Sequence, residues 1–257
     1  VGQAGPTFIP MSSRTLDIAR VNGVPAGQWR GEGDSISEEA ITFQQVQLSA
    51  KGVSTLVKMS WEFAEDTDLN ASAFVNQQIA QSLALAIDTA ALYGDPGASG
   101  DAEEPQGIKT HSGILTATSV GTPTNYDDFV DAVYDLRDVN QEGNAIIYSP
   151  RDARTLAKLK TGLSGDQTTL VPPAEWTNLQ RLTTNQIATN EGAGTDESSA
   201  FLGDWSQFLW GQRSSLSLTL DQRYADTGEI GIVAQIRCDF ELARDNAFLV
   251  MSGITAA

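Results

Sequence analysis

Two long segments of alternating apolar and polar residues, separated by a stretch rich in glycine and acid, constrain the fold of this chain most. Residues 14–21 place Leu16 and Ile18 on one face, and residues 40–63 return to a period of two. This period predicts β-strands, with the polar stretch 22–39 as their connection. About a dozen extended residues in each arm span on the order of 40 Å, which exceeds the radius of a domain of this size.

A two-stranded ribbon of that length is marginally stable in water. It is therefore expected to rest on something outside its own domain, most simply another copy of the chain. Apolar anchors and charges near the connection are the candidate contact residues. They are Trp29, Arg30, Glu32, Asp34, Ile36, Glu38, Glu39 and Phe43. The apolar members of the returning strand include Ile41, Phe43, Val46 and Leu48.

The clearest predicted helix covers residues 70–93. Asp68 or Asn70 can cap its start, and Gly94 with Pro96 ends it. At 1.5 Å per residue it is about 35 Å long, enough to form a spine for a domain. Its expected buried face has a helical spacing and comprises Val75, Ile79, Leu83, Ala86, Ile87 and Ala90.

Further helices and strands follow in mixed order. One helix begins after Thr122-Pro123, with Thr124 or Asn125 as its cap and Phe129, Val133 and Leu136 on its buried face, and another begins at Pro150 with Ser149 as its cap. Residues 161–178 are expected to form a loop. Strands are predicted at 108–118, 145–148, 181–188, 200–203, 207–211, 214–221, 229–244 and 247–254. This mixture predicts the α+β class.

The net charge of −17, from 16 basic and 33 acidic residues, limits the possible partners. A protein that grips nucleic acid neutralises phosphates with clusters of lysine and arginine. The densest basic stretches here, 151–160 and 213–223, are interpreted as solvated faces of a helix and a strand. The composition therefore argues against direct condensation of a genome by this chain.

Candidate catalytic residues are few. His111 is the only histidine, and Cys238 is the only cysteine, which excludes an intrachain disulfide and is interpreted as a small buried apolar residue. No Walker, G-x-S-x-G or H-E-x-x-H motif occurs. The acidic stretches 32–39 and 101–104 lack EF-hand spacing. We expect no catalytic site, no cofactor and no metal site.

The overall composition predicts a soluble globular protein, with 40% hydrophobic residues. No apolar run approaches the roughly 20 residues of a membrane helix, so no membrane partner is expected. No secretory signal opens the chain. The lone cysteine fits folding in a reducing cytoplasm.

Several stretches, in order along nearly the whole chain, resemble the major capsid proteins of tailed bacteriophages, which share the Johnson (HK-97-like) fold. They are WxGEG at 29–33, SE at 37–38 with ITF at 41–43, the stretch from AK at 50–51 to MSxE at 59–62 with ED at 65–66, AxAID at 84–88 to YGD at 93–95, PQGI at 105–108, YSPRD at 148–152 with LxxLK at 156–160, FLGDWS at 201–206, and the closing stretch from IR at 236–237 to ARxxAF at 243–248.

The resemblance implies a fold with an extended β-hairpin loop, a peripheral domain with a long spine helix, and an axial domain. The implied parts are an N-terminal segment with the first strand at 1–21, the extended loop at 22–52, the peripheral domain at 53–119 with the spine helix at 70–93, the axial domain at 120–227, and a C-terminal return to the peripheral domain at 228–257.

The resemblance also implies a structural role rather than an enzymatic one. Such subunits self-assemble into pentamers and hexamers that close into an icosahedral head around double-stranded DNA, without sequence-specific binding. Portal, scaffold and cement proteins are the implied further partners, and the implied location is the virion, after assembly in the host bacterial cytoplasm. An acidic shell wall limits adhesion of DNA during packaging, which agrees with the charge of −17.

Two departures from the family pattern matter. Some members crosslink a loop lysine to a neighbour's asparagine, but residues 22–49 contain no lysine and residues 229–236 no asparagine. The chain starts close to its first strand, so the scaffolding segment and N-terminal arm of family precursors are expected to be absent from it. The alternatives are an encapsulin-like nanocompartment shell protein, a gene-transfer particle, a decoration protein, and a soluble α+β enzyme or binding domain.

Overall fold

The computed structural model describes residues 1–23, 29–33, 42–62, 71–97, 103–162, 167–221, 223–224 and 227–256. The strands are β1 (Thr7–Pro10), β2 (Thr15–Gly23), β3 (Thr42–Ser49), β4 (Lys51–Ser60), β5 (Leu115–Ala117), β6 (Ala145–Tyr148), β7 (Gln180–Thr183), β8 (Glu197–Gly203), β9 (Phe208–Asp221), β10 (Glu229–Leu242) and β11 (Phe248–Thr255). The α-helices are α1 (Ala71–Tyr93), α2 (Asp127–Asp138), α3 (Pro150–Ala157) and α4 (Ala174–Asn178). The predicted α+β class is confirmed.

The first sheet has four strands in the order β1-β9-β10-β4. Strand β1 runs parallel to β9, and the other neighbours are antiparallel. The segments predicted separately at 207–211 and 214–221 form one strand, β9, whose register against β10 shifts twice. Local irregularities of this kind interrupt the period of two, which explains why the sequence pattern divided the strand.

Helix α1 covers part of this sheet and begins within one residue of the prediction. Ile79 and Leu83 pack against Ile232 and Ala234 of β10, and the C-terminal half of the helix buries Ile87, Ala91 and Leu92 in a second apolar cluster. The prediction that Ala86 belongs to this face is wrong, because Ala86 is exposed and lines a cavity of about 500 Å³ between α1, β4 and residues 103–105. The proposed caps Asp68 and Asn70 lie outside the described residues.

Two glycines fix the end of α1. The backbone N–H of Gly94 donates to the carbonyl of Ala90 (2.9 Å), and that of Gly107 donates to the carbonyl of Gly94 (2.8 Å). A Cβ atom at Gly94 would overlap the carbonyl oxygen of Pro105. The two backbone segments therefore cross at a distance that only glycine permits, and the predicted stop at Gly94 is confirmed.

The second sheet has five strands in the order β5-β11-β8-β6-β7. Helices α2 and α4 pack beside it, with the rings of Phe129 and Trp176 4.9 Å apart. Phe129, Val133 and Leu136 of α2 are buried as predicted. The prediction of a continuous loop at 161–178 is wrong, because residues 174–178 form α4, and its Trp176 is buried.

The start of α3 follows the prediction. Pro150 occupies the first turn, and the hydroxyl of Ser149 accepts a hydrogen bond from the backbone N–H of Asp152 at 3.1 Å. Helix α2 differs in detail, because Tyr126 occupies its N-cap position without a capping side chain. Asn125 compensates by accepting a hydrogen bond from the N–H of Asp127 at 3.2 Å.

Aromatic side chains from both sheets share one core. Trp205 contacts Phe208 and Phe248, and its indole N–H donates to the carbonyl of Ala145 at 3.0 Å. Cys238 is buried in the same cluster, which confirms its interpretation as a small apolar core residue. The core thus joins the sheet that carries α1 to the sheet that carries α2.

Arg151 corrects the interpretation of residues 151–160 as a solvated face. Its guanidinium donates to the carbonyls of Thr189, Asp196 and Ile254, at 3.0, 2.6 and 2.8 Å. It also contacts the carboxylate of Asp152, which is almost fully buried. Arg151 therefore ties α3 to β8, β11 and the adjoining loop, whereas Arg154 on the same helix is exposed.

Candidate subunit interface

Strands β2 and β3, here called the ribbon, form a two-stranded antiparallel sheet of their own. Their register runs from the pair Thr15–Ser49 to the pair Gly23–Thr42. After Ala50 the chain continues as β4 in the four-stranded sheet. The alternating run at 40–63 therefore contains two strands with a corner between them, and only the first belongs to the ribbon.

One face of the ribbon packs on the rest of the subunit. Leu48 is fully buried with Met11 and Ala50, and Leu16 and Ile18 pack against this cluster. The prediction that Leu16 and Ile18 share a face is confirmed, since they pair with Leu48 and Val46 across the ribbon. This apolar cluster fixes the ribbon near its base.

A polar latch extends the attachment along the same face. Arg20 of β2 contacts both carboxylate oxygens of Asp245, at 2.6 and 2.9 Å, in a bidentate pair. Its guanidinium also donates to the side-chain oxygen of Gln44, its partner across the ribbon, at 2.7 and 3.1 Å. A bidentate guanidinium–carboxylate pair fixes orientation as well as distance, so the latch sets the direction of the ribbon.

His111 lies beside this latch. Its Nε2 is 2.8 Å from a carboxylate oxygen of Glu241, but the geometry is not that of a directed hydrogen bond. Its Nδ1 is 4.0 Å from Asp245. The only histidine of the chain therefore lies between two acids beneath the ribbon, and its side chain is largely buried there.

A buried acid holds the corner between β3 and β4. The carboxylate of Asp239 on β10 accepts a hydrogen bond from the backbone N–H of Ser49 at 2.5 Å, and only 6% of the residue is exposed. Burial raises the pKa of Asp239 above its ordinary value, although hydrogen bonds from the N–H groups of Ser49 and Phe240 oppose the shift. The ionised acid therefore lowers stability near neutral pH.

Asp239→Asn is expected to increase the free energy of unfolding at pH 7, because it removes a buried charge and keeps an acceptor for Ser49. The folded wild type, with its raised pKa, binds a proton before the unfolded chain does as the pH falls. As the pH falls through that raised pKa, the free energy of unfolding of the wild type should therefore rise relative to that of the variant, and the difference between the two proteins should shrink. Urea unfolding at pH 7 and pH 4.5 measures the difference.

Asp17, an exposed acid of the ribbon, is the contrasting control. Hydrogen bonding from the side chains of Gln47 and Gln45 lowers its pKa. The ionised Asp17 therefore stabilises the folded state at pH 7, and this contribution is lost as the pH falls. Asp17→Asn should lower the free energy of unfolding at pH 7, and its difference from the wild type should shrink at low pH. Equal behaviour of the two asparagine variants would contradict the role of burial at Asp239.

The predicted contact residues that the structure describes are exposed. Trp29 is fully exposed, and Arg30 and Glu32 are exposed beside it. Phe43 is 68% exposed, on the face opposite Val46. The grouping of Phe43 with Val46 and Leu48 in one apolar alternation is thus corrected, because an odd separation places residues on opposite faces. Asp34, Ile36, Glu38 and Glu39 lie outside the described residues.

The sequence did not reveal the residues that attach the ribbon. Arg20 pairs with an acid 225 residues away, and Ser49 with one 190 residues away. Separations of this size leave no periodic pattern in a sequence. The one available signal was the position of Arg20 on the same face as Leu16 and Ile18, where a charged residue needs a partner.

Other chemistry was sought in the described part of the chain. There, no cluster of three or more histidine, cysteine or acidic residues could hold a metal ion. Burial raises the pKa of the Cys238 thiol to about 11, which disfavours the reactive thiolate. Among the described helices, none combines the length and apolarity that crossing a membrane requires.

Comparisons with known proteins agree with this geometry. A sequence model of the phage capsid family matches residues 4–253. The chain belongs to the phage capsid family. It is therefore a structural subunit of an icosahedral capsid, and the encapsulin-like alternative is not favoured. No curated protein matches the chain by sequence.

Solved capsid structures share the fold of this capsid subunit. One is titled "Capsid of native GTA particle computed with C5 symmetry", with a TM-score of 0.74, 17% identity, and coverage of 99% of this chain and 89% of that chain. A second is from Mycobacterium phage Ogopogo, with a TM-score of 0.72, 19% identity and coverage of 98% and 90%. A third is from Mycobacterium phage Cain, with a TM-score of 0.75, 14% identity and coverage of 99% and 88%. The predicted HK-97-like fold is confirmed.

Proposed function

We propose that this capsid subunit forms pentamers and hexamers that close into a head around double-stranded DNA, and that each ribbon holds a neighbouring subunit. The observation that carries the proposal is the ribbon itself. One face is attached to the body by Leu48 near the base and by Arg20 further along, whereas Trp29 and Phe43 expose large aromatic surfaces. Burying such side chains against a neighbour stabilises an assembly, because each removes a large apolar area from water.

The negative charge of the subunit supports the proposal that the shell encloses double-stranded DNA without binding it tightly. Seventeen net negative charges repel phosphates, so DNA driven into the shell would move without adhering to its wall. Sequence-specific contacts have no basis in this composition. A portal protein, and scaffold or cement proteins, are the further partners we propose, with assembly in the host bacterial cytoplasm.

Electron microscopy of the purified protein tests the proposal directly. We expect closed polygonal shells or capsomer rings of five and six subunits. A protein that remains a lone 27.4 kDa monomer across concentration, salt and pH would contradict it. Sedimentation velocity on the same sample separates monomers from rings and shells.

Shell stability is expected to fall with rising ionic strength. The connection of the ribbon carries Glu32, Asp34, Glu38 and Glu39, and we propose that these acids pair with arginine or lysine on the neighbour. Between 0.15 M and 1 M salt the screening length falls from about 8 Å to about 3 Å, which weakens exposed charge pairs. Light scattering during a salt titration measures the loss of shells.

The matched control replaces the four acids by their amides, which keeps their size and removes their charge. Shells of that variant, if they form, should respond much less to salt than wild-type shells. If the stability of wild-type shells does not change with salt, the contact depends instead on apolar packing of Trp29, Ile36 and Phe43.

A further inference from the structure

Helix α2 exposes a row of acids that the subunit itself does not neutralise. Four aspartates recur three and four residues apart, on one side of the helix and away from its buried residues. They are Asp128, Asp131, Asp135 and Asp138, here called the acidic stripe. Within the described residues, none of their carboxylates forms an ion pair, and the only base of the helix, Arg137, contacts Glu142 instead.

The acidic stripe is not explained by the stability of α2. The helix dipole favours acids in the first turn only, so it accounts for Asp128 but disfavours Asp138 in the last turn. Asp131 and Asp135 are four residues apart, a spacing at which like charges repel each other. An arrangement that weakens its own helix is expected to have a partner of opposite charge elsewhere.

A small basic pocket lies beside helix α3. It has a volume of about 150 Å³ and is lined by Arg151, Arg154, Thr155, Lys158, Leu159 and Ala256. The donors of Arg151 are already used, because its guanidinium contacts Asp152, the hydroxyl of Ser198 and three carbonyl groups. Arg151 therefore neutralises Asp152 and leaves the charge of the pocket to its other bases.

Arg154 and Lys158 supply the free positive charge of the basic pocket. Both are exposed, and neither forms an ion pair or a hydrogen bond to any residue in the described part of the chain. They are four residues apart, and Lys158 continues the helical backbone as the C-cap of α3. In a chain with a net charge of −17, this pocket is a local site for an anion.

The two surfaces match in spacing as well as in charge. Asp131 and Asp135 are separated by about one helical turn, and so are Arg154 and Lys158. When two such helices lie side by side, both acids can meet both bases at once. Two ion pairs formed together fix the relative position of the helices more firmly than one.

A second copy of the chain is the occupant that these charges favour. Every copy of a capsid subunit presents both surfaces to other copies, and both remain unpaired within the described subunit. Because the acidic stripe and the basic pocket are different patches, their contact joins subunits head to tail, and such a contact closes into a ring. A phosphate backbone fits less well, because the acidic stripe on the same layer of helices would repel it.

We propose that the basic pocket of one subunit binds the acidic stripe of its neighbour within the same ring. Arg154 and Lys158 pair with Asp131 and Asp135 across the contact. This inference rests on the proposed function, since it names charges that join neighbouring subunits within a pentamer or hexamer.

Charge reversal on either surface tests the contact. The α3 variant Arg154→Glu/Lys158→Glu and the α2 variant Asp131→Lys/Asp135→Lys each place like charges side by side. Each should raise the concentration at which rings form by ~10-fold or more. All four positions are exposed, so urea unfolding of each subunit should resemble that of the wild type.

The variant that carries all four substitutions is the decisive control. It restores opposite charges across the contact with their signs exchanged, and should form rings at nearly the wild-type concentration. A general effect of net charge predicts a different result. The α2 variant makes the subunit less negative and the α3 variant makes it more negative, so assembly would then change in opposite directions.

Mixing the two reversed variants gives a further test that depends on the number of subunits in a ring. Each contact between an α2 variant and an α3 variant pairs opposite charges, whereas each contact between identical variants repels. An equimolar mixture should therefore form rings of six in which the variants alternate, but none of five, because an odd ring cannot alternate. Native mass spectrometry counts the copies of each variant in a ring.

The possible results separate the proposal from its rivals. A defect of the α3 variant with normal rings from the α2 variant overturns it, because the basic pocket would then bind DNA or another anion. Normal rings from both variants overturn it, and so does a fourfold variant that folds but does not recover. Wild-type protein that forms no rings contradicts the proposed function instead.

Discussion

Deletion of residues 30–37 is expected to leave a folded subunit that no longer closes into shells. The attachment of the ribbon is untouched, because Leu48 contacts the body near its base and Arg20 contacts it further along β2, and both lie outside the deleted residues. Shortening a connection changes its closure entropy slowly, so the free energy of unfolding should change by less than about 1 kcal/mol. The deletion removes Glu32, Asp34 and Ile36 and shortens the reach of Trp29 towards a neighbour, so electron microscopy should show isolated subunits or open rings in place of shells.

A variant of unchanged length shows whether the length of the connection or its side chains are needed for shell closure. Replacing residues 30–37 by alternating glycine and serine keeps the number of residues and removes Glu32, Asp34 and Ile36. We expect this variant to fail in closure as well, because Trp29 and Phe43 alone do not replace the contacts of Glu32, Asp34 and Ile36. Normal shells from the deletion would show that the segment is dispensable, and normal shells from the replacement alone would assign it the role of a spacer.

Arg151→Leu is expected to cost about 3–5 kcal/mol of unfolding free energy, the largest effect we expect from a single substitution. The guanidinium neutralises the buried Asp152 and donates to three carbonyl groups on separate segments. Without it, Asp152 keeps a bond from Ser198 (2.6 Å) but loses its countercharge. Urea unfolding of the subunit measures the change.

Arg154→Leu is the matched control for this substitution. It removes the same charge from the same helix at an exposed position, and should shift the unfolding free energy by no more than about 0.5 kcal/mol. Adding Asp152→Asn to Arg151→Leu should recover part of the loss, since the uncompensated charge disappears. An Arg151→Leu variant as stable as Arg154→Leu would contradict the assigned role.

The ribbon shows how far the sequence predicts the fold. Period-two alternation is a local property, so it correctly placed Leu16 and Ile18 on one face and identified two paired strands. It failed at Phe43, whose odd separation from Val46 already excluded a shared face in an unbroken strand. Similarly, it merged β3 with β4, because a corner at a small residue such as Ala50 leaves the pattern of apolar residues intact.

The contacts that orient the candidate interface could not be predicted, because they join distant parts of the chain. Nothing near Arg20 in the sequence indicates Asp245, and nothing near Asp239 indicates a turn that needs an acceptor. The segment 214–221 is a different case, because its residues Leu216, Leu218 and Leu220 are exposed. Its alternation correctly indicated a strand, but alternation alone does not show whether the apolar face is covered by the same subunit or left for another.

The placement of the ribbon's anchors also orders events during translation. The ribbon lies within the first 49 residues, whereas Asp239 and Asp245 lie close to the end of the described chain. Strand β1 pairs with β9, and β4 pairs with β10, so the sheet beneath α1 joins the beginning of the chain to its end. At roughly 5–20 residues per second, a ribosome needs on the order of 10–50 s to reach these partners. A nascent chain therefore carries a ribbon that lacks these two polar anchors until Asp239 and Asp245 have been synthesised, and only then can it present the ribbon to neighbours in a fixed direction.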